Sequence, residues 1–313
     1  MDRAFLRHIC WTVWLVWLGG CANHPFANLE EWKKIRTANF IFYSNTDETL
    51  AIDIAKTLEN FRTLALQITT IPPFEEPHPL RVYVFNDWRS FTAFQPMEKV
   101  GGYFIQGHNF IAMNAAVWDG SASSIIYHEF IHYLLSKHPA RFPQWYDEGL
   151  AGIFETFDYH DGTVKFGIPT GDKWLWLLTQ PEWISMEQLL LDQVDFLQDQ
   201  VGIMAHAQSW AMMHYFFFGK EGNFDKLGRY IFLVNDEVSP LEALMAACGL
   251  TPEGLFQEVK QYVAQGELDY TSIAINPVDL NPQLELLPVT QIEIKEVLHE
   301  LLVPVKKIQD HRS

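Results

Sequence analysis

Residues 123–135 read SSIIYHEFIHYLL, and the pentapeptide His128-Glu129-Phe130-Ile131-His132 inside them decides how the rest of the chain is read. On an α-helix, residues four apart stack on one face, so His128 and His132 present two imidazoles to one point. Glu129 is rotated about 100° from His128, at the rim of the same site. Two neutral nitrogen ligands and a carboxylate able to take a proton from water are the parts of a zinc hydrolase site. A pattern this short also arises by chance, in roughly a few per cent of chains. The flanks strengthen it. Tyr127, Phe130, Ile131, Leu134 and Leu135 make the helix apolar nearly all round, which predicts burial. Two histidines and a glutamate in a buried helix need partners, since unpaired polar groups there are costly. A metal ion satisfies all three at once.

A catalytic zinc takes a third protein ligand and keeps one position open. Residues 142–155, FPQWYDEGLAGIFE, predict a second helix that offers Asp147, Glu148 and Glu155. HEFIH followed by W-Y-D-E-G-L-A resembles the gluzincin metallopeptidases, and within them the peptidase MA-like domains of bacterial envelope proteins. The resemblance implies one Zn2+ per chain, held by His128, His132 and Glu148, with Glu129 as general base. It implies that Glu155, two turns beyond Glu148, orients the first zinc histidine. Asp147 is expected to be exposed, and the small Gly149 and Ala151 to allow close helix approach.

Residues 205–216, AHAQSWAMMHYF, resemble a downstream helix of the same family. The family commonly carries tyrosine where this chain has His206. By that resemblance His206 is the catalytic residue that stabilises the oxyanion, with His214 and Tyr215 as weaker candidates. The stretch GGYFIQGHNFIAMN (101–114) predicts a hairpin around Gly107-His108-Asn109. In the family the matching edge strand binds extended peptide by β-augmentation. No G-x-M-E-N type stretch is present to grip a free amino terminus, which favours an endopeptidase. Trp174, Trp176 and Trp183 are read as core or as the floor of a substrate cleft.

The chain begins with Arg3 and Arg7 before the apolar run ICWTVWLVWLGG, the pattern of a signal peptide over residues 1–20. L-G-G-C resembles a lipobox, which implies lipidation at Cys21 and tethering to a membrane. Ala22 and Asn23 lack the aspartate that often retains lipoproteins at the inner membrane. The expected location is the periplasmic side of a bacterial envelope, on the outer membrane. Cys248 is then the one remaining thiol, and no disulfide framework follows. A net charge of −17, from 22 basic and 39 acidic residues, argues against a nucleic-acid partner. The expected partners are a peptide or protein substrate and the membrane.

Periodicity predicts a strand ending at residue 43, a helix over 47–68, a strand over 79–85 and a short helix near Trp88. Helices follow at roughly 185–194, 203–218, 222–234, 239–248 and 252–265. The fold class is α+β and, by the resemblance, zincin-like. It comprises a small N-terminal mixed sheet with an edge hairpin over the motif helix, then a mostly helical half. Residues 21–270 are read as one peptidase domain and 271–313 as a tail with one short helix. The function implied is a membrane-tethered zinc metallopeptidase. The rival is a catalytically inactive envelope protein that keeps the fold for binding or scaffolding.

Overall fold

A computed structural model describes residues 26, 28–69, 78–96, 100–105, 107–117, 123–275 and 280–312. The signal peptide and Cys21 lie outside the described residues. The apolar run read as a strand ending at residue 43 is β2 (Phe40–Ser44), and β1 (Lys33–Arg36) before it pairs with it antiparallel. Helix α1 (Glu48–Ile68) follows, capped by the Asp47 carboxylate, which accepts the Leu50 N–H at 3.0 Å. Next come β3 (Leu80–Phe85), the one-turn α2 (Trp88–Phe91) and the hairpin β4 (Gly102–Phe104) and β5 (Phe110–Asn114). The motif helix is α3 (Ser123–Lys137), and α4 (Gln144–Phe154) carries Glu148.

A hairpin of β6 (Asp158–His160) and β7 (Thr163–Phe166) comes next, in a region expected to be helical. Asp161 and Gly162 turn it with φ of 47° and 76°, the left-handed pair that a two-residue hairpin loop requires. The helical half then runs through α5 (Trp176–Thr179), α6 (Met186–Leu190), α7 (Asp199–His214) and α8 (Asn223–Asn235). It closes with α9 (Pro240–Cys248) and α10 (Pro252–Val263).

The main sheet has six strands in the order β4-β5-β3-β2-β1-β9, where β9 is Glu285–Leu287; β2, β3 and β5 pair parallel and the other pairs are antiparallel. α1 and α3 cover one face. Phe61 of α1 and Tyr127 of α3 meet at a ring separation of 4.2 Å, and Phe130 packs on Phe40 of β2. The apolar flanks of HEFIH are therefore the core contacts that bury the motif.

The segment from residue 271, expected as a tail, is built into the fold. β8 (Thr271–Ala274) pairs with β7, and β9 (Glu285–Leu287) forms the sheet edge beside β1. The last helix, α11, spans Gln291–Arg312 and outruns the short helix expected at 290–303. Its Ile294, Leu298, Leu301 and Val305 cover the second face of the sheet, against Tyr43, Tyr83, Phe85 and Phe110. That face is aromatic and would be exposed without α11, so hydrophobic burial holds the helix down. Lys34–Glu293 at 2.7 Å adds an ion pair across the same contact.

His214, on α7, is fully buried. Its ring nitrogens meet Tyr262 Oη at 2.7 Å and the Gly167 carbonyl at 2.8 Å. Burial pushes its pKa from 6.5 down to about 4. The unfolded chain thus takes up a proton first as pH falls. The stability that neutral His214 contributes is complete above pH 6.5 and is lost as pH drops toward 4. At 1.36 kcal/mol per unit the loss is about 3 kcal/mol. Denaturant melts between pH 7 and 4 should show this fall, and His214→Gln should flatten it. The same contacts make His214 a structural residue. Tyr215, whose hydroxyl donates to Glu258, is likewise away from the motif helix.

Candidate metal centre

α3 and α4 cross so that His128, His132 and Glu148 bring one ligand atom each within 4.8 Å of one another. Glu148 Oε2 is the focus. It lies 3.4 Å from His128 Nε2, 3.5 Å from His132 Nε2 and 3.2 Å from His206 Nε2. This oxygen is buried yet has no hydrogen-bond partner among the described residues. An unsatisfied buried carboxylate oxygen facing imidazole nitrogens is the donor set that suits a zinc ion, with one carboxylate and two histidines as ligands.

The distal ring nitrogens are fixed. His128 Nδ1 meets Glu155 Oε1 at 2.7 Å, the orienting contact that the resemblance implies for Glu155. His132 Nδ1 meets Asp147 Oδ1 at 2.9 Å. Asp147 was expected to be exposed. It remains 38% exposed, but its carboxylate lies over the ring of the second histidine. Glu155 is itself held by the Lys173 ammonium, a residue with no sequence signal. Such outer contacts settle the tautomer, so that in the neutral ring each Nε2 lone pair faces the shared centre.

Charge follows from this packing. Burial alone would lower the His128 pKa, but Glu148 and Glu155 outweigh it and lift it to about 9. His132 is raised against burial by Glu148 and Asp147. Burial acts to raise Glu148, yet His132 and the other two imidazoles hold it well below the ordinary carboxylate range. Glu155 falls to about 2 because Lys173 and His128 overcome its burial. Glu129 behaves differently: burial raises it, even with both motif histidines nearby. Two carboxylates are thus held anionic beside the rings, and one is kept more basic at the rim.

Glu129 Oε2 accepts the Phe104 backbone N–H at 2.7 Å. Phe104 ends β4, the edge strand of the sheet, so the hairpin lies directly over the motif helix. A cleft of about 900 Å3 opens there, lined among others by Gly102, Phe104, Glu129, Phe142 and His206. Ile308 of α11 also reaches this cleft. None of Trp174, Trp176 and Trp183 lines it; all three pack against the core.

His206 enters from α7. Its Nδ1 donates to the Gly202 carbonyl at 2.7 Å, so Nε2 can donate only when the ring carries both protons. His206 faces Glu148 from outside the three-residue ligand cluster. α7 comes this close because of Gly149. A Cβ on Gly149 would sit 2.6 Å from the Ser209 carbonyl oxygen and 3.0 Å from Met213. Gly149→Ala should therefore push α4 off α7, lowering stability by about 1–3 kcal/mol. Because Glu148 moves with that backbone, any metal held by the cluster should bind more weakly as well, which calorimetric melts with and without added zinc would show.

A scan of protein-family models finds no match to this chain, and neither does a search of curated proteins.

Proposed function

We propose that the chain is a zinc-dependent metallopeptidase with a zincin-like fold, tethered to a bacterial envelope membrane through a lipidated Cys21. One observation carries the reading. Glu148 Oε2 is a buried oxygen without a hydrogen bond, within 3.5 Å of both motif histidines, while Glu129 stands beside them on the cleft. His128, His132 and Glu148 would hold the ion. When bound, zinc supplies Lewis acidity that polarises a carbonyl and acidifies water.

The protein's own residues account for the remaining chemistry. Glu129, made more basic by burial, takes the proton of the attacking water and passes it to the departing amine. β4 is the edge strand of the sheet and lies beside Glu129, a position that suits an extended peptide added as a further strand. A doubly protonated His206 can donate from Nε2 to the oxygen on which negative charge develops. His206→Ala should then lower kcat by roughly 10²–10³ while zinc stoichiometry stays at one per chain.

The test is metal analysis paired with digestion. Purified protein should carry one zinc and cleave an unfolded protein mixture, and a chelator should stop the cleavage. Absence of stoichiometric zinc would favour a scaffolding protein instead.

A further inference from the structure

Behind the His138–Phe142 turn that lines the metal cleft lies a second cavity of about 290 Å3. That is near the lower end of the roughly 300–1,000 Å3 typical of small-molecule sites. Leu150 and Phe154 of α4, Phe217, and Leu227 and Ile231 of α8 make its walls apolar. Gly228, itself exposed, lines its mouth. It sits in the middle of α8, where glycine is less favourable than alanine, and a Cβ there would meet nothing within 4 Å.

Two polar groups lie in this apolar lining. The Thr69 hydroxyl is buried and has no hydrogen-bond partner among the described residues. His138 Nδ1 accepts the Ala140 N–H at 3.0 Å, which in the neutral ring leaves the proton on Nε2 as a donor. A ligand that fits has an apolar body and a single hydrogen-bond-accepting head. The rim narrows the class further. Phe224, which lines the cavity, is 52% exposed, and Phe232 is 68% exposed. With Gly228 they recur every four residues along one face of α8, and the exposed Lys226 and Arg229 lie between them. Exposed aromatics interspersed with basic residues are the composition of lipid-facing helices.

We propose that this cavity binds one medium-length acyl chain, its acid or ester carbonyl taken by the Thr69 hydroxyl. The site shares no ligand with the metal centre and stands or falls independently of it.

Titration calorimetry on the full chain tests it with butyrate, hexanoate, octanoate and decanoate. From butyrate upward, each two-carbon extension should tighten binding by about tenfold, at one site per chain. Gly228→Phe, whose ring would occupy the cavity, should weaken decanoate at least about thirtyfold, and Gly228→Ala by no more than about threefold. Leu227→Trp blocks from the same helix, and circular dichroism of each variant shows whether it folds. Dispersed dihexanoyl phosphatidylcholine separates the sources. If it binds, an esterified lipid is the ligand; if only the free acids bind, a fatty acid is. Absence of decanoate binding, equal affinity for butyrate and decanoate, or undiminished binding in both folded blocking variants would overturn the proposal.

Discussion

Glu129→Gln should keep one zinc per chain and lose hydrolysis by roughly 10²–10⁴, the usual contribution of a positioned general base. The substitution is nearly isosteric, and its carbonyl oxygen can still accept the Phe104 N–H that Glu129 accepts at 2.7 Å. Glu129 is not among the three residues whose atoms converge, so the ligand set is untouched. What the variant removes is a carboxylate whose basicity burial has raised. Metal analysis and peptide hydrolysis on the same preparation read the two properties separately. Undiminished hydrolysis in the zinc-loaded variant would sink the proposed role of Glu129.

Glu148→Gln should have the largest effect on the metal itself. Its carboxylate supplies the only charge in the ligand set and sits within 3.5 Å of three imidazole nitrogens. Replacing residues that only orient a ligand usually lowers affinity by about 10–100-fold. Glu155→Gln and Asp147→Asn, which act through His128 and His132, should fall in that range. Glu148→Gln should exceed both, and competition with a chromophoric chelator would rank all three. Stability should follow affinity. Zinc at 100 times its dissociation constant adds about 2.7 kcal/mol to the folded state, and this increment should vanish first in Glu148→Gln. A ranking in which Glu148→Gln matches the outer carboxylates would remove it from the ligand set.

The positions of these residues were legible to different depths. The pairing of His128 with His132 is local, because a four-residue step on any helix stacks two side chains. The alignment of Glu148 with Glu155 is local too, and the contact from Glu155 to His128 is where the resemblance implies it. That the partly exposed Asp147 also reaches His132 is not legible in the sequence, because its position on α4 alone does not say which helix lies beside it. The α3–α4 crossing does, by placing its carboxylate over His132. Lys173 stands outside every motif, and Gly152 leaves room beside it: a Cβ there would sit 3.2 Å from the lysine ammonium that holds Glu155. The β6–β7 hairpin had a readable signal in Asp161-Gly162 that was passed over amid helical periodicity.

From the sequence alone follow most of the helices, their apolar stripes, the hairpin around Gly107 and the pairing of His128 with His132. Each depends on spacings within a few turns of one element, where backbone geometry is uniform. Tertiary structure decided which carboxylate holds which histidine, how His206 faces Glu148, and that residues 271–312 complete the sheet rather than trail from it. Those relations depend on helix crossings and on burial of the aromatic face under α11. Contacts between residues far apart in the chain are set by packing, which no local period encodes.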